Sequence, residues 1–209
     1  MLSLLTRLEK TRLVPVVSLP SVEAALSLAE ILLQCNLPVV EVTFRTPHAA
    51  AGIAAIKNNF PQIELLAGTI LTPKQADSAL EAGATAIVSP GFSPQLAAHC
   101  TSQNVPFFPG VCTPSEVQTA LESGCDRLKF FPAEKMGGTG MLSLFRSLYK
   151  EVSFMPTGGI SLNNIKDYLQ LDNVLCCGGS WLCPEQLMAE NKWEEIKSRV
   201  RKAVQVVNT

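Results

Sequence analysis

Apolar and polar positions alternate along this chain in a long-range rhythm. Short apolar runs occupy residues 14–19, 39–44, 65–71, 86–90, 106–111, 127–131, 153–157 and 174–178, and their starts advance by 20 to 26 residues. That step accommodates one strand, one helix and two short loops. Helical patterns fill the intervals, and residues 193–207 read as a closing amphipathic helix with Trp193, Ile196, Val200 and Val207 among its apolar positions.

The punctuation follows the same rhythm. Thr46-Pro47, Thr72-Pro73, Ser93-Pro94 and Thr113-Pro114 each place a capping hydroxyl before a proline at the first helical position. Glu116, three residues after Thr113, completes a capping box. Asn36, Gly83, Asn104 and Gly124 stand where a helix ends in a left-handed residue. Strands followed at once by capped helices build right-handed βαβ units, and eight of them close a parallel barrel. The expected fold is α/β, a single-domain (β/α)8 TIM barrel over residues 1–209, near the short end of that fold's range of about 200 residues and up. An open doubly wound sheet is the alternative, disfavoured by near-equal units and by the lack of a G-x-G-x-x-G after the first run.

Composition narrows the function classes. The 209 residues carry 17 Lys+Arg against 18 Asp+Glu, with 17% charged and 47% hydrophobic residues. Disorder is excluded, because it needs low hydrophobicity and high net charge. No basic run supplies the field that nucleic-acid binding requires. The stretch 82–115 runs 34 residues without Asp, Glu, Lys or Arg. Pro90, Pro94, Pro106, Pro109 and Pro114 rule it out as a membrane span, so the fold must hide most of it. Its two strands would be buried between barrel interior and helices. Its helix over residues 94–103 would be an outer one, yet it offers only Gln95, His99, Ser102 and Gln103, as a subunit interface would. Charges at Ala98 or Thr101 are then expected to weaken assembly.

Leu2 to Leu5 are followed at once by Arg7, Glu9, Lys10 and Arg12, too short an apolar core for a signal peptide, so a cytoplasmic location is expected. Seven irregularly spaced cysteines without a C-x-x-C, and only His48 and His99, argue against a disulfide framework or a zinc site and for buried, reduced thiols.

In a barrel, chemistry sits at the C-terminal ends of the strands. In the second run the two-residue period puts Glu41, Thr43 and Arg45 on one face and Val40, Val42 and Phe44 on the other. The apolar set meets the helices, so Glu41 and Arg45 point inward, either as a structural ion pair or as working groups. In the sixth run the same parity turns Arg127, Lys129 and Phe131 inward and Leu128 and Phe130 outward. Lys129 alone of ten lysines is embedded in an apolar strand. A lysine in such a setting gives up its proton readily and becomes a nucleophile toward carbonyls, or else it simply neutralises Glu41. Lysine, carboxylate and arginine together suit Schiff-base chemistry on an α-keto acid: imine, proton shuttle and carboxylate clamp.

Glycine pairs follow the last two runs, in Thr157-Gly158-Gly159-Ile160-Ser161 and Gly178-Gly179-Ser180-Trp181. They let backbone N–H groups approach an anion, as at the usual barrel phosphate site. Gly137-Gly138-Thr139-Gly140 lacks the P-loop lysine and spacing and reads as a flexible loop over the site.

These residues give the chain a strong resemblance to the 2-keto-3-deoxy-6-phosphogluconate (KDPG) aldolase family, some of whose members also cleave 4-hydroxy-2-oxoglutarate (KHG). The resemblance runs over nearly the whole chain. It is carried by Glu41-Val42-Thr43-Phe44-Arg45-Thr46, Ala67-Gly68-Thr69, Ser89-Pro90-Gly91, Pro109-Gly110, Lys129-Phe130-Phe131-Pro132-Ala133-Glu134, Pro156-Thr157-Gly158-Gly159-Ile160 and Cys177-Gly178-Gly179-Ser180-Trp181. It implies a class I aldolase without metal or other cofactor, a homotrimer acting on a phosphorylated keto acid. By motif, Lys129 would form the Schiff base and Glu41 would be the general acid/base. Arg45 and Thr69 would hold the pyruvate carboxylate. Gly158, Gly159, Gly179 and Ser180 would bind phosphate, and Thr157 would lie near the C4 hydroxyl. Thr157 and Ser180 point to the gluconate rather than the galactonate substrate. The chain departs from relatives at Gly140-Met141, where a lysine is common.

Two other readings share parts of this pattern. A phosphate-barrel isomerase or epimerase would use the same glycine loops but needs a second carboxylate or a histidine. A non-catalytic metabolite-binding barrel would need no lysine in its mouth.

Overall fold

The computed structural model describes residues 4–208. Its strands are β1 (Leu13–Val17), β2 (Val39–Thr43), β3 (Glu64–Gly68), β4 (Ala86–Val88), β5 (Phe107–Phe108), β6 (Gly110–Val111), β7 (Arg127–Phe130), β8 (Ser153–Pro156) and β9 (Cys177–Gly179). All ladder pairs are parallel, in the orders β5-β4-β3-β2-β1-β9 and β6-β7-β8. Every residue of β1 and β2 is buried, as expected for parallel strands covered on both faces. The expected α/β class holds. The pairing is that of a curled parallel sheet in two ladders, rather than one unbroken ring. Pro109 divides β5 from β6 because it has no N–H to give, and isolated bridges Phe154↔Val174 and Thr157↔Gly178 join β8 to the last strand segment.

The helices between strands are α2 (Val22–Gln34), α3 (Ala49–Asn59), α4 (Pro73–Glu81), α5 (Pro94–Ser102), α6 (Pro114–Glu122), α7 (Gly138–Leu148) and α8 (Ile165–Leu169). Thr72, Ser93 and Thr113 cap α4, α5 and α6 as expected, each accepting from the backbone N–H three residues on, with proline at the first position. The Thr113/Glu116 capping box is complete. Asn36, Gly83, Asn104 and Gly124 all have positive φ, at 55°, 104°, 54° and 78°.

Thr46 departs from the pattern. Its hydroxyl donates to the Leu19 carbonyl at 2.9 Å, and α3 begins later, after an uncapping His48. Gly137-Gly138-Thr139-Gly140 is not a loop: Gly137, at φ 96°, turns the chain into α7, which starts at Gly138. A short helix α1 (Leu4–Thr11) precedes β1 with only Leu8 fully covered, an element the apolar pattern did not announce. The Leu2 to Leu5 segment begins outside the described residues. The chain closes with α9 (Glu185–Ala189) and α10 (Trp193–Val207), the latter with the expected bounds and with Ile196, Val200 and Val207 buried.

Within the uncharged stretch, β4 is fully buried, while α5 buries Leu96, Ala97 and Cys100 and exposes Ala98 and Thr101. All seven cysteines are free thiols, six of them buried. Among the described residues no helix is long and apolar enough to cross a membrane.

Candidate active site

Glu41 is the middle residue of β2, and Lys129 is the third residue of β7, in register with Gly110 on one side and Met155 on the other. β2 and β7 are not neighbours in either ladder, so the two side chains meet across the concave face of the sheet. The Lys129 Nζ donates to Glu41 Oε1 at 2.9 Å, and the two side chains are 6% and 0% exposed. Burying either charge alone would be costly; the pair offsets much of that cost. The ammonium also stands 5.5 Å from the centroid of Phe131. Glu41 Oε2 is buried and has no hydrogen-bond partner.

The parity argument holds on both strands. Val40, Val42, Leu128 and Phe130 are fully buried, and Phe130 meets Phe145 of α7 edge-on at 5.9 Å, which is the helix-facing side. Space for Glu41 is created by Gly68, where a Cβ would lie 2.2 Å from Oε1. Thr43, also inward, is used structurally: its hydroxyl bonds the Val17 carbonyl and Ser18 Oγ, both at 2.9 Å, tying β1 to β2.

Arg45 lies two residues beyond β2, exposed in the turn. Among the described residues no ion pair joins it to Glu41, whose partner is Lys129. Thr69 lies directly after β3 with φ 58°. A β-branched residue there costs about 1–3 kcal/mol and persists only where the surroundings fix it. Here the flanking bonds Phe44 N–H to Gly68 O at 2.8 Å and Ile70 N–H to Val88 O at 3.2 Å do so.

Thr157 follows β8. Its N–H donates to the Phe130 carbonyl at 2.9 Å, while its hydroxyl is buried without a partner. A Cβ on Gly178 would stand 2.3 Å from that hydroxyl. Gly158 and Gly159 have φ of 99° and 83°, so the turn requires glycine. Gly179 ends β9 and Ser180 is exposed in the next turn. The Trp181 indole N–H is a second buried donor without a partner, beside Gly179. Sequence reasoning passed over Trp181 as a site group; the signal was its place directly after the glycine pair. Among the described residues no group of three or more His, Cys, Asp or Glu side chains is placed to hold a metal ion.

A curled parallel α/β sheet that buries a lysine against a carboxylate is an arrangement that suits amine chemistry on a carbonyl. The model of the KDPG and KHG aldolase family matches residues 4–199. The chain belongs to that family, and it is a lyase. It is 44% identical to the 2-dehydro-3-deoxy-phosphogluconate aldolase of Treponema pallidum (strain Nichols), over 99% of both chains. It is 39% identical to the KHG/KDPG aldolase of Escherichia coli (strain K12), over 92% of this chain and 90% of that one. Among solved structures it is similar to a KDPG aldolase from Legionella pneumophila, with a TM-score of 0.92, 36% identity and coverage of 97% and 98%. That structure holds pyruvate captured at low pH as a covalent carbinolamine intermediate.

Proposed function

We propose that this chain is a class I aldolase that cleaves 2-dehydro-3-deoxy-6-phosphogluconate to pyruvate and glyceraldehyde 3-phosphate. 4-Hydroxy-2-oxoglutarate, giving pyruvate and glyoxylate, is its second substrate. The observation that carries this reading is the 2.9 Å contact between Lys129 and Glu41 in a buried mouth.

In this mechanism the contact lets Glu41 take a proton from Lys129 and free the amine. Nζ adds to C2 of the keto acid, and the carbinolamine hydroxyl takes the proton held by Glu41 and leaves as water, giving a protonated imine and restoring the Glu41 carboxylate. Glu41 then accepts the C4 hydroxyl proton. The electron pair of the C3–C4 bond passes into the imine, leaving an enamine and releasing the aldehyde. Glu41 returns its proton to C3, and water hydrolyses the imine to pyruvate and free lysine. Arg45 and Thr69, at the ends of adjacent strands, clamp the carboxylate of the keto acid. Gly158, Gly159, Gly179 and Ser180 receive the phosphate, and the unpartnered hydroxyl of Thr157 faces the C4 oxygen.

The two ladders are read as arcs of one closed (β/α)8 barrel forming a single domain. Pro109 alone separates β5 from β6, and the isolated bridges lie where β8 would meet β9. A cytoplasmic homotrimer is proposed on the family resemblance. The exposed, uncharged positions Ala98 and Thr101 of α5 support a contact there, and Ala98→Glu is expected to lower the sedimentation coefficient; an unchanged value would remove α5 from the interface.

The deciding experiment is borohydride reduction in the presence of pyruvate. A covalent adduct is expected on Lys129, found by peptide mass, together with cleavage of both substrates. Equal adduct formation in Lys129→Ala would overturn the assignment.

A further inference from the structure

The Gly158-Gly159 turn has no side chains with which to hold itself, yet its three carbonyls are all held from outside. The Ala133 N–H donates to Thr157 O at 2.8 Å, the Glu134 N–H to Gly158 O at 3.0 Å, and Asn164 Nδ2 to Gly159 O at 3.0 Å. The Gly158 N–H points to the last strand, where the bridge Thr157↔Gly178 engages it, while no hydrogen bond holds the Gly159 N–H among the described residues. With its acceptors tied down and the Gly159 donor open, the turn is suited to present that N–H to an anion.

Glu134 contributes more than its backbone. Its stem lies flat against Gly159, where a Cβ would come within 2.5 Å of Glu134 Cγ. Its carboxylate Oε1 accepts a hydrogen bond from the Tyr168 hydroxyl of α8. Tyr168 is fully buried, so its ring cannot drift. Burial pushes the Tyr168 hydroxyl well above the usual phenol range, and the bond to Glu134 pushes it further, so it remains a donor. Gly138, at the start of α7, packs over this bond: a Cβ there would stand 3.1 Å from the Tyr168 hydroxyl and 3.3 Å from Glu134 Oε1. Two successive βα units, β7–α7 and β8–α8, therefore converge on one hydrogen bond beneath the turn.

We propose that Glu134 and Tyr168 are positioning residues for the substrate phosphate, their bond locking the Gly158-Gly159 turn with the Gly159 N–H outward. Neither side chain touches the reacting atoms. This rests on the reading of the turn as a phosphate site. The Tyr168 tether also fixes the direction of the Glu134 carboxylate, which would otherwise be a mobile negative charge beside an incoming phosphate.

The test compares wild type with Tyr168→Phe, Glu134→Ala and Glu134→Gln. Three quantities are read: the inhibition constant of inorganic phosphate against the phosphorylated substrate, KM and kcat for that substrate, and the rate of borohydride trapping of pyruvate, which needs no phosphate site. In Tyr168→Phe and Glu134→Ala the phosphate inhibition constant and KM are expected to rise about tenfold, as for a lost bond to a charged group. In both, kcat changes less than about threefold and pyruvate trapping is unchanged, because the reacting atoms are untouched. Glu134→Gln, whose amide oxygen still accepts from Tyr168, is expected to stay near wild type. Glu134 is exposed, so its variants fold even if Tyr168→Phe does not. Wild-type inhibition by phosphate with unchanged constants in Tyr168→Phe and Glu134→Ala overturns the positioning role alone. Pyruvate trapping that falls in step with KM also overturns it, as a general structural defect. A wild type that phosphate does not inhibit overturns the phosphate site and the proposal together.

Discussion

Lys129 Nζ engages only one oxygen of Glu41, at 2.9 Å, and leaves Oε2 buried and unbonded. A pair kept only for stability gains by satisfying every buried lone pair, because an orphaned one is costly. In the proposed mechanism the unbonded oxygen is the one that would handle substrate protons. Glu41→Gln preserves an acceptor for Lys129 and removes the base. Pyruvate trapping on Lys129 is expected to persist while turnover falls by about 10²–10⁴-fold, the usual worth of a general acid/base. Trapping and single-turnover cleavage measured on the same preparation check this. Full turnover in Glu41→Gln would reduce the pair to a structural one.

Gly68 controls where that carboxylate can sit. A methyl at this position would stand 2.2 Å from Oε1 and 2.7 Å from Cγ of Glu41, so the Glu41 side chain, anchored in the middle of β2, must shift from its place beside Lys129. Gly68→Ala is expected to fold and to lose about 10²-fold in kcat, the scale of a displacement near 1 Å. Steady-state kinetics with a melting curve check this; activity within twofold of wild type would show that Gly68 does not place Glu41.

Much of this site could be read from local pattern. The period of two along each strand assigned Glu41 and Lys129 to the inner face and Phe130 to the helices, because strand geometry leaves no other choice. Thr72, Ser93 and Thr113 were legible as caps, and Asn36 and Asn104 as left-handed ends, since each motif is closed within a few residues. Thr46 had the same signature but was diverted to a carbonyl 27 positions away, a competitor that no local pattern contains. Gly137-Gly138-Thr139-Gly140 reads as a loop because it lacks the P-loop lysine and spacing, yet Gly137 only turns the chain and Gly138, which lies against Tyr168 and Glu134, opens α7. The Tyr168–Glu134 bond spans 34 positions and the Lys129–Glu41 bond 88, so both are set by the curl of the sheet rather than by spacing. Arg45 was placed inward by parity, but β2 ends at Thr43 and parity ends with it.

Thr69 carries backbone strain directly after β3. Glycine relieves a φ of 58° but removes the hydroxyl and methyl that would frame the keto acid. Thr69→Gly is expected to melt at or above the wild-type temperature while KM for the keto acid rises about tenfold, a trade of function against strain. Calorimetry and steady-state kinetics check the two halves separately. A lower melting temperature would mean that the Thr69 side chain stabilises more than its conformation costs.

Glu116 ties the capping box to the strand beside Lys129. Its carboxylate accepts from the backbone N–H groups of Cys112 at 2.7 Å and Thr113 at 2.9 Å, one and two residues beyond β6, whose Gly110 is in register with Lys129. Burial alone would raise this carboxyl, but the two N–H bonds outweigh it and hold it below the ordinary 4.5. The unfolded chain therefore binds the proton more readily than the folded one. Glu116 stabilises fully above the unfolded value, and that stability is lost as pH falls through the lower folded one. Glu116→Ala is expected to cost about 1 kcal/mol at neutral pH, as for a lost cap. The gap between wild type and variant is expected to narrow as pH drops below 4.5, where the wild-type carboxylate protonates too. Urea unfolding of both proteins across that range measures the gap, and a gap independent of pH would show that the carboxylate's charge plays no part in holding the α6 cap.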